Sequence, residues 1–350
     1  DTLSAVVPTY RNDLEGVADL AEEVARIYGY DKIPMTLMEG SASRGTRTRK
    51  QNWIDAVKQA LVGMGMYETM TYSFASPTVY QSIGMTDPRD YPAAIRIANP
   101  LGEDQSILRT TMMPSMLEVL SRNYNRRLED CSIFEINPVF LPKSLPLTDL
   151  PDEVLTLAMG QYGADSDFYS MKGKIEVIAE LLGLEHKISF RAVRHPTLHP
   201  GRAAEVRIGD QSIGVFGEVH PKVADNYQLD IRVMLGELNL AVLLDQAKTG
   251  CQYRPLPRYP AVPRDLALIV KKTVPAGQIL ERIRKAGGKM LEDVSLFDIY
   301  EGNQIPEGYK SMAFSLVYRA SDRTLKDDEV NQVHKKILNA LEREIGAKLR

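Results

Sequence analysis

Three carboxylates, Asp19, Glu22 and Glu23, stand at positions i, i+3 and i+4, a spacing that brings them to one face of an α-helix. Asp13 lies just upstream, where the chain turns into that helix. Four carboxylates gathered there repel, and on that face only Arg26 is placed to relieve them. A hard divalent cation would relieve them as well, because Mg2+ takes oxygen ligands and usually keeps several of its waters. The same residues have a plainer use: acids in a first turn complement the helix dipole, and a charged face is commonly just solvated. A third reading, a metal-dependent hydrolase, needs a base or an electrophile beside the acids. Three of the four occupy one short helix with neither placed nearby.

Other reactive patterns are sparse. The chain has no GxxxxGK[ST], no GxGxxG opening a helix, no HExxH and no GxSxG. Its histidines, His186, His195, His199, His220 and His334, show no metal spacing, and a lone histidine is more often packed or capping than a general base. The two cysteines, Cys131 and Cys251, lie in no CxxC and have no histidine beside them. A four-ligand structural zinc centre is therefore not expected. A disulfide between them is left open, and the low count suits a reducing cytoplasm.

The elements that must carry these residues follow from length and periodicity. At 350 residues, 44 % apolar and 25 % charged, the chain has the length of two or three domains and an ordinary soluble composition. No run approaches the ~20 apolar residues of a membrane span. The start, DTLSAVVPTYRNDLEG, has neither signal-peptide nor transit-peptide character, and we read the chain as a piece of a longer polypeptide. Residues 16–30 have the spacing of an amphipathic helix, with Val17, Leu20, Val24, Ile27 and Tyr28 as its apolar stripe and Gly29 as its stop. A polar, Gly/Ser/Thr-rich stretch follows and predicts a boundary near residue 45.

Beyond it a helix carries Ile54, Val57, Leu61 and Met64, and YETMTYSF predicts a strand. Pro114 suits the first turn of another helix, with Leu117, Leu120 and Tyr124 as its buried stripe. CSIFEI and VLTLAMGQY predict strands, KGKIEVIAELLGL a helix, and VRIGDQSIGVFGEVH a hairpin turning at Gly209-Asp210. Strands and helices mix without βαβ alternation, which favours an α+β fold with an antiparallel sheet. After a proline-rich linker around 251–265, the order is strand, helix, strand, strand, helix, short strand, the βαββαβ ferredoxin-like arrangement. From 255 to 350 there are 17 Lys/Arg against 13 Asp/Glu, and elsewhere 26 against 33. That asymmetry fits either a polyanion-facing C-terminal module or ordinary surface scatter.

VPTYRNDLEGVADLAEEVARIYGYDKIP resembles the end of the fifth, winged-helix-like domain of bacterial phenylalanine–tRNA ligase β subunits. Asp13, Asp19, Glu22 and Glu23 fall on that family's four Mg2+-ligand positions. ANPLGEDQSILRTTMMPSMLEVLSRNYNRR (98–127), DFYSMKGKIEVI, LHPGRAA (198–204) and IGVFGEVHP (213–221) resemble, in order, its catalytic-like module, a class II synthetase-like antiparallel sheet without the active-site residues. Asn137-Pro138 departs from the family's Gly-Arg at that place. YPAVPRDLALIV through GAKLR resembles its ferredoxin-fold anticodon-binding domain. The division implied is 1–36, 37–250 and 257–350.

What the resemblance implies is a non-catalytic subunit of an aminoacyl-tRNA synthetase. Phenylalanine is activated with ATP and passed to tRNA(Phe) on the α subunit, which binds the ATP, within a cytoplasmic tetramer of two α and two β chains. This chain would supply assembly surfaces, a structural Mg2+ and an anticodon contact. Such a contact needs cations for phosphates and flat surfaces for bases. Arg264, Lys271, Lys272, Arg319 and Arg323 lie at or beside predicted strand ends, with Tyr259 and Tyr318 as the rings. A stand-alone RNA-binding protein that kept the anticodon domain is the alternative.

Overall fold

A computed structural model describes residues 3–37, 40, 45–248, 253, 255–302 and 304–350. Parts of both expected linkers, and Cys251 with the disulfide left open above, lie outside the described residues. Cys131 is a free thiol. The chain divides into two compact units, Asp1–Gln51 and Asn52–Arg350.

The first unit is built on α1 (Val17–Tyr28). Gly29, at φ 109°, ends it in a conformation that a side chain would resist. A single 3-10 turn follows at Tyr30–Lys32. The apolar stripe read from the sequence is present, but Val17, Val24, Ile27 and Tyr28 are all exposed, and no residue of the helix is buried.

Next in the chain is α2 (Arg49–Gly63), whose second-unit residues Val57 and Leu61 are buried. Then come β1 (Tyr67–Glu68), β2 (Phe74–Ala75), α3 (Val79–Ser82), β3 (Ile107–Leu108), α4 (Met113–Asn125), β4 (Cys131–Leu141) and β5 (Asp152–Tyr162). They are followed by α5 (Phe168–Leu181), β6 (Ile188–Ala192), β7 (Leu198–Ile208), β8 (Gln211–Val219), α6 (Pro221–Asn226), β9 (Val233–Asn239) and α7 (Leu240–Gln246). Seven strands form one sheet in the order β1-β4-β5-β9-β8-β7-β6. Every pairing is antiparallel except β1 with β4.

Side chains alternate across a strand, and this sheet is covered on both sides. Leu157 and Met159 point into a core closed by α2, α5 and α7. Ala158 and Tyr162 point the other way, under α4. Gly160 makes room there, since a Cβ at that position would lie 2.8 Å from Leu120 Cδ1. The strand expected over YETMTYSF is interrupted. Only its two ends pair, β1 with β4 and β2 with β3, and residues 69–73 lie between them outside any strand.

The C-terminal elements have their own core. β10 (Val262–Lys271), α8 (Ala276–Gly287), β11 (Leu291–Tyr300), β12 (Tyr309–Tyr318), α9 (Asp327–Ile345) and β13 (Lys348–Leu349) form a sheet ordered β11-β12-β10-β13. This is the βαββαβ arrangement expected from the sequence. Leu266, Leu268, Val270, Met312, Phe314 and Leu316 pack in one core with Ile279 and Ile283 of α8 and Ile337 and Leu341 of α9. Alternation sends their strand neighbours to the opposite face.

Leu120 is fully buried between α4 and the seven-stranded sheet. Leu120→Ala is therefore expected to lower unfolding free energy by about 2–5 kcal/mol, read as a fall in urea midpoint at unchanged m-value. A loss well below that range would mean that the helix settles onto Gly160 and closes the cavity.

Candidate functional site

The four acids of the first unit are not gathered around a vacant centre. Arg11 reaches between them: its Nη2 donates to Asp13 Oδ2 at 2.6 Å and to Glu23 Oε1 at 2.7 Å. Arg26 Nη2 donates to Glu23 Oε2 at 2.6 Å. The expectation that Arg26 alone faces the acids is thus corrected, because the turn before α1 folds Arg11 back onto them. Asp19 is used otherwise, its Oδ2 accepting from the backbone N–H of Glu15 at 2.9 Å and of Gly16 at 2.7 Å. It caps donors that the helix start leaves open. The guanidinium of Arg11 holds the Asp13 and Glu23 carboxyls down to about 2, with Arg26 adding to the effect on Glu23. Four carboxylates suit a hard cation chemically. As the side chains are arranged, among the described residues no three His, Cys, Asp or Glu are set to hold a metal.

The middle module has a polar centre that sequence reading missed. Arg109 and Glu135 face each other, both side chains only 2 % exposed, with Nη1 and Oε1 3.3 Å apart. Thr71 completes the pair: its Oγ1 donates to Glu135 Oε2 at 2.7 Å and accepts from Arg109 Nη1 at 2.9 Å. Asn137 Nδ2 donates to Glu135 Oε1, and Arg109 Nε donates to the Pro138 carbonyl. The Asn-Pro departure noted in the sequence is therefore part of this network. Nearby, Glu237 Oε2 accepts from Thr111 Oγ1 and from the Met112 N–H. Burial pushes its carboxyl up, against the pull of those donors and of Arg109. The signal was the pair of motifs, Leu-Arg-Thr and Phe-Glu-Ile, whose charges sit amid apolar residues.

Around Thr71 the chain reverses the usual pattern. Met70, Tyr72 and Phe74 are 88 %, 75 % and 44 % exposed, while Thr69, Thr71 and Ser73 between them are half-buried. These three apolar side chains border a cleft of about 780 Å³ that reaches Pro114, Glu118 and Arg122 of α4. An apolar row at period two, facing solvent beside an edge strand, is the mark of an interaction surface.

In the C-terminal domain the seven residues read as RNA-binding do not form one patch. Tyr318 is 0 % exposed, and its hydroxyl lies 3.1 Å from His334 Nδ1. It cannot offer a ring to a base, because strand alternation places it with Met312, Phe314 and Leu316 under the helices. Arg264 pairs with Asp327 at 2.8 Å, on the same side. Arg319 bonds Glu292 and the carbonyl of half-buried Tyr259, and Arg323 pairs with Asp322 and Glu329. Lys272 pairs with Glu301, and Lys271 is exposed at the end of β10. By register Lys271 lies opposite Tyr309, whereas Arg319 follows Tyr318 at the other end of the sheet.

The face away from the helices offers something else. Its floor is small: Ala267 pairs with Ala313, which pairs in turn with Asp298. Tyr300 stands opposite Ser311, and Arg350 lies 5.4 Å over its ring while donating to Ser311 Oγ at 3.3 Å. Ring, hydroxyl and guanidinium thus meet at the end of the sheet where Lys271 lies. Alternation in SMAFSLVY, small against large, was the signal that could have found them.

Lowered carboxyl pKa values stabilise the fold above the unfolded values near pH 4, and that stabilisation is lost as pH falls through about 2. Carbon-detected titration should place the Asp13 and Glu23 midpoints near 2 and move both upward in Arg11→Gln. Midpoints near 4 in the parent protein would show that Arg11 does not hold them.

Comparison with known proteins agrees with this architecture. Residues 33–240 match the family described as phenylalanyl tRNA synthetase beta chain CLM domain. Residues 257–350 match the ferredoxin-fold anticodon binding domain and residues 1–30 the tRNA synthetase B5 domain. A phenylalanine–tRNA ligase beta subunit of Clostridium tetani is 45 % identical over 350 residues, covering 100 % of this chain and 44 % of that protein. One from Moorella thermoacetica is 41 % identical over 352 residues, covering 98 % and 44 %. The chain thus spans less than half the length of these relatives. With ordered matches running from its first residues to its last, the chain belongs to the phenylalanyl-tRNA synthetase β-chain family.

Proposed function

We propose that this chain is the assembly and anticodon-binding portion of a phenylalanine–tRNA ligase β subunit, divided as 1–36, 37–250 and 257–350. The observation that carries the reading is the ferredoxin-like sheet, covered by helices on one face and open on the other over small residues flanked by Tyr300 and Asp298. An unstacked base laid on that floor would share the Tyr300 ring with Arg350, which already lies over it, and the Asp298 carboxylate could accept from its exocyclic N–H. Lys271 and Lys272 lie at the same end of β10, where they would meet phosphates. In this reading ATP, phenylalanine and the acylation of tRNA(Phe) belong to the α subunit, in a cytoplasmic tetramer of two α and two β chains. Among the described residues no helix is long and apolar enough to cross a membrane.

The partner surface is the Met70, Tyr72 and Phe74 row with the cleft beneath it. Its occupant is the α subunit: relatives named as β subunits imply a differently named partner, and β1 is an edge strand beside an uncovered apolar row. For Mg2+, donor chemistry supports Asp13, Asp19, Glu22 and Glu23 as the ligands, and the geometry asks that the ion first displace Arg11. Saturating Mg2+ should then raise the Tm, and combining Glu22→Gln with Glu23→Gln should abolish the rise. Identical melts with and without Mg2+ would remove the ion from this reading.

Tyr300→Ala is expected to weaken tRNA(Phe) binding by about 1–3 kcal/mol, the usual worth of a stacked base, with little change in salt dependence. Lys271→Ala with Lys272→Ala should instead lower the salt slope by about 1–2. Filter binding across a salt series separates the two, and a wild-type slope and affinity in both variants would rule out this face.

A further inference from the structure

We infer that the buried Arg109–Glu135 pair fixes the docking row from the inside, holding Thr71 inward so that Met70, Tyr72 and Phe74 are set outward before any partner arrives. The inference rests on the partner surface proposed above and goes beyond it. It assigns positioning roles to Arg109, Glu135 and Thr71.

The segment from Tyr67 to Ala75 is tied at four places. Tyr67 and Glu68 pair with Ile133 and Phe134 of β4, and the Thr69 N–H donates to the Phe134 carbonyl at 2.8 Å. Thr71 is held by its side chain, between Glu135 Oε2 and Arg109 Nη1. The backbone N–H of Arg109 donates to the Ser73 carbonyl at 2.9 Å. Phe74 and Ala75 pair with Leu108 and Ile107 of β3. Two of the four ties thus come from Arg109 itself, one through its guanidinium and one through its backbone. Between the two strand ends no ladder fixes which way the side chains turn. In an extended segment, turning Thr71 inward turns Met70 and Tyr72 outward.

The energetics support a positioning role. A buried ion pair is seldom a net source of stability, because desolvation offsets most of the attraction. Its groups still demand hydrogen bonds in fixed directions, and here one of those bonds reaches the hydroxyl at the centre of the exposed row. An interface side chain ordered in advance loses less entropy on binding.

The test uses the full-length β subunit with its α partner. Thr71→Val removes the hydroxyl at nearly constant volume and should speed dissociation of the α subunit about tenfold, the effect of roughly 1.4 kcal/mol of ordering. Amide exchange over residues 69–73 should quicken as well, and Thr71→Ser should restore both. An Arg109→Met, Glu135→Leu double variant removes the pair without leaving a lone buried charge, so it keeps the test available if Thr71→Val folds poorly. Tyr72→Ala reports on the surface itself. If Tyr72→Ala hastens dissociation while Thr71→Val and the double variant behave as wild type, the positioning role is wrong and the surface stands. If Tyr72→Ala also leaves dissociation unchanged, the surface falls, and the inference with it.

Discussion

A charge taken out of water must take its partners with it, and the middle module is arranged around that demand. Its seven-stranded sheet is covered on both faces, so Arg109 and Glu135 are bonded almost entirely by the protein itself. Meeting their needs draws in Thr71, Asn137 and the Pro138 carbonyl. In the gap between β1 and β2, Thr71 gives its side-chain hydroxyl to the pair, while the Thr69 N–H and the Ser73 carbonyl bond the backbone of Phe134 and Arg109. What reaches solvent is then decided by what is bonded within.

The C-terminal sheet works under the opposite constraint. Helices cover one face only, so alternation sorts its residues into two populations. Large apolar side chains of β10 and β12 go under α8 and α9, and Ala267, Ala313 and Ser315 go to the other side. The two tyrosines at the strand ends illustrate the rule. Tyr318 shares the even-numbered face of β12 and is lost to the core, where burial pushes its hydroxyl up to about 12. Tyr300, opposite Ser311, stays at the open side. A flat floor of small residues with a ring at its edge is a geometry that unstacked bases fit.

Element type was legible in the sequence wherever periodicity was strong. The helix over residues 16–30, the hairpin at Gly209 and the βαββαβ order of the last hundred residues were all written in spacing. Direction was less legible. Alternation in SMAFSLVY puts its large side chains on one face, and Tyr318 shares that face. Tyr318 was read as a stacking ring from its place at the strand end, without that parity. The acids were legible as a cluster, but not their partner, because Arg11 comes to them through a turn whose path spacing does not encode. The strand over YETMTYSF failed for a similar reason: β-propensity says nothing of whether a ladder partner exists.

Arg11 and Arg109 make the same kind of contact to very different effect. Each bridges two acceptors: Asp13, two residues away, and Glu23 of α1 for Arg11, and Thr71 and Glu135, both distant in sequence, for Arg109. Arg11 does so at the surface, half-buried with Glu23 and beside exposed Asp13, where water still reaches the groups and the pairing is worth little to stability. Its groups can exchange partners cheaply, which is the condition under which an ion could displace it. Arg109 does so where water cannot substitute, and losing any one partner would leave an unpaired group in the interior. Exposure therefore separates their roles: the first arginine is a replaceable counter-charge, and the second is a fixed point from which a surface is hung.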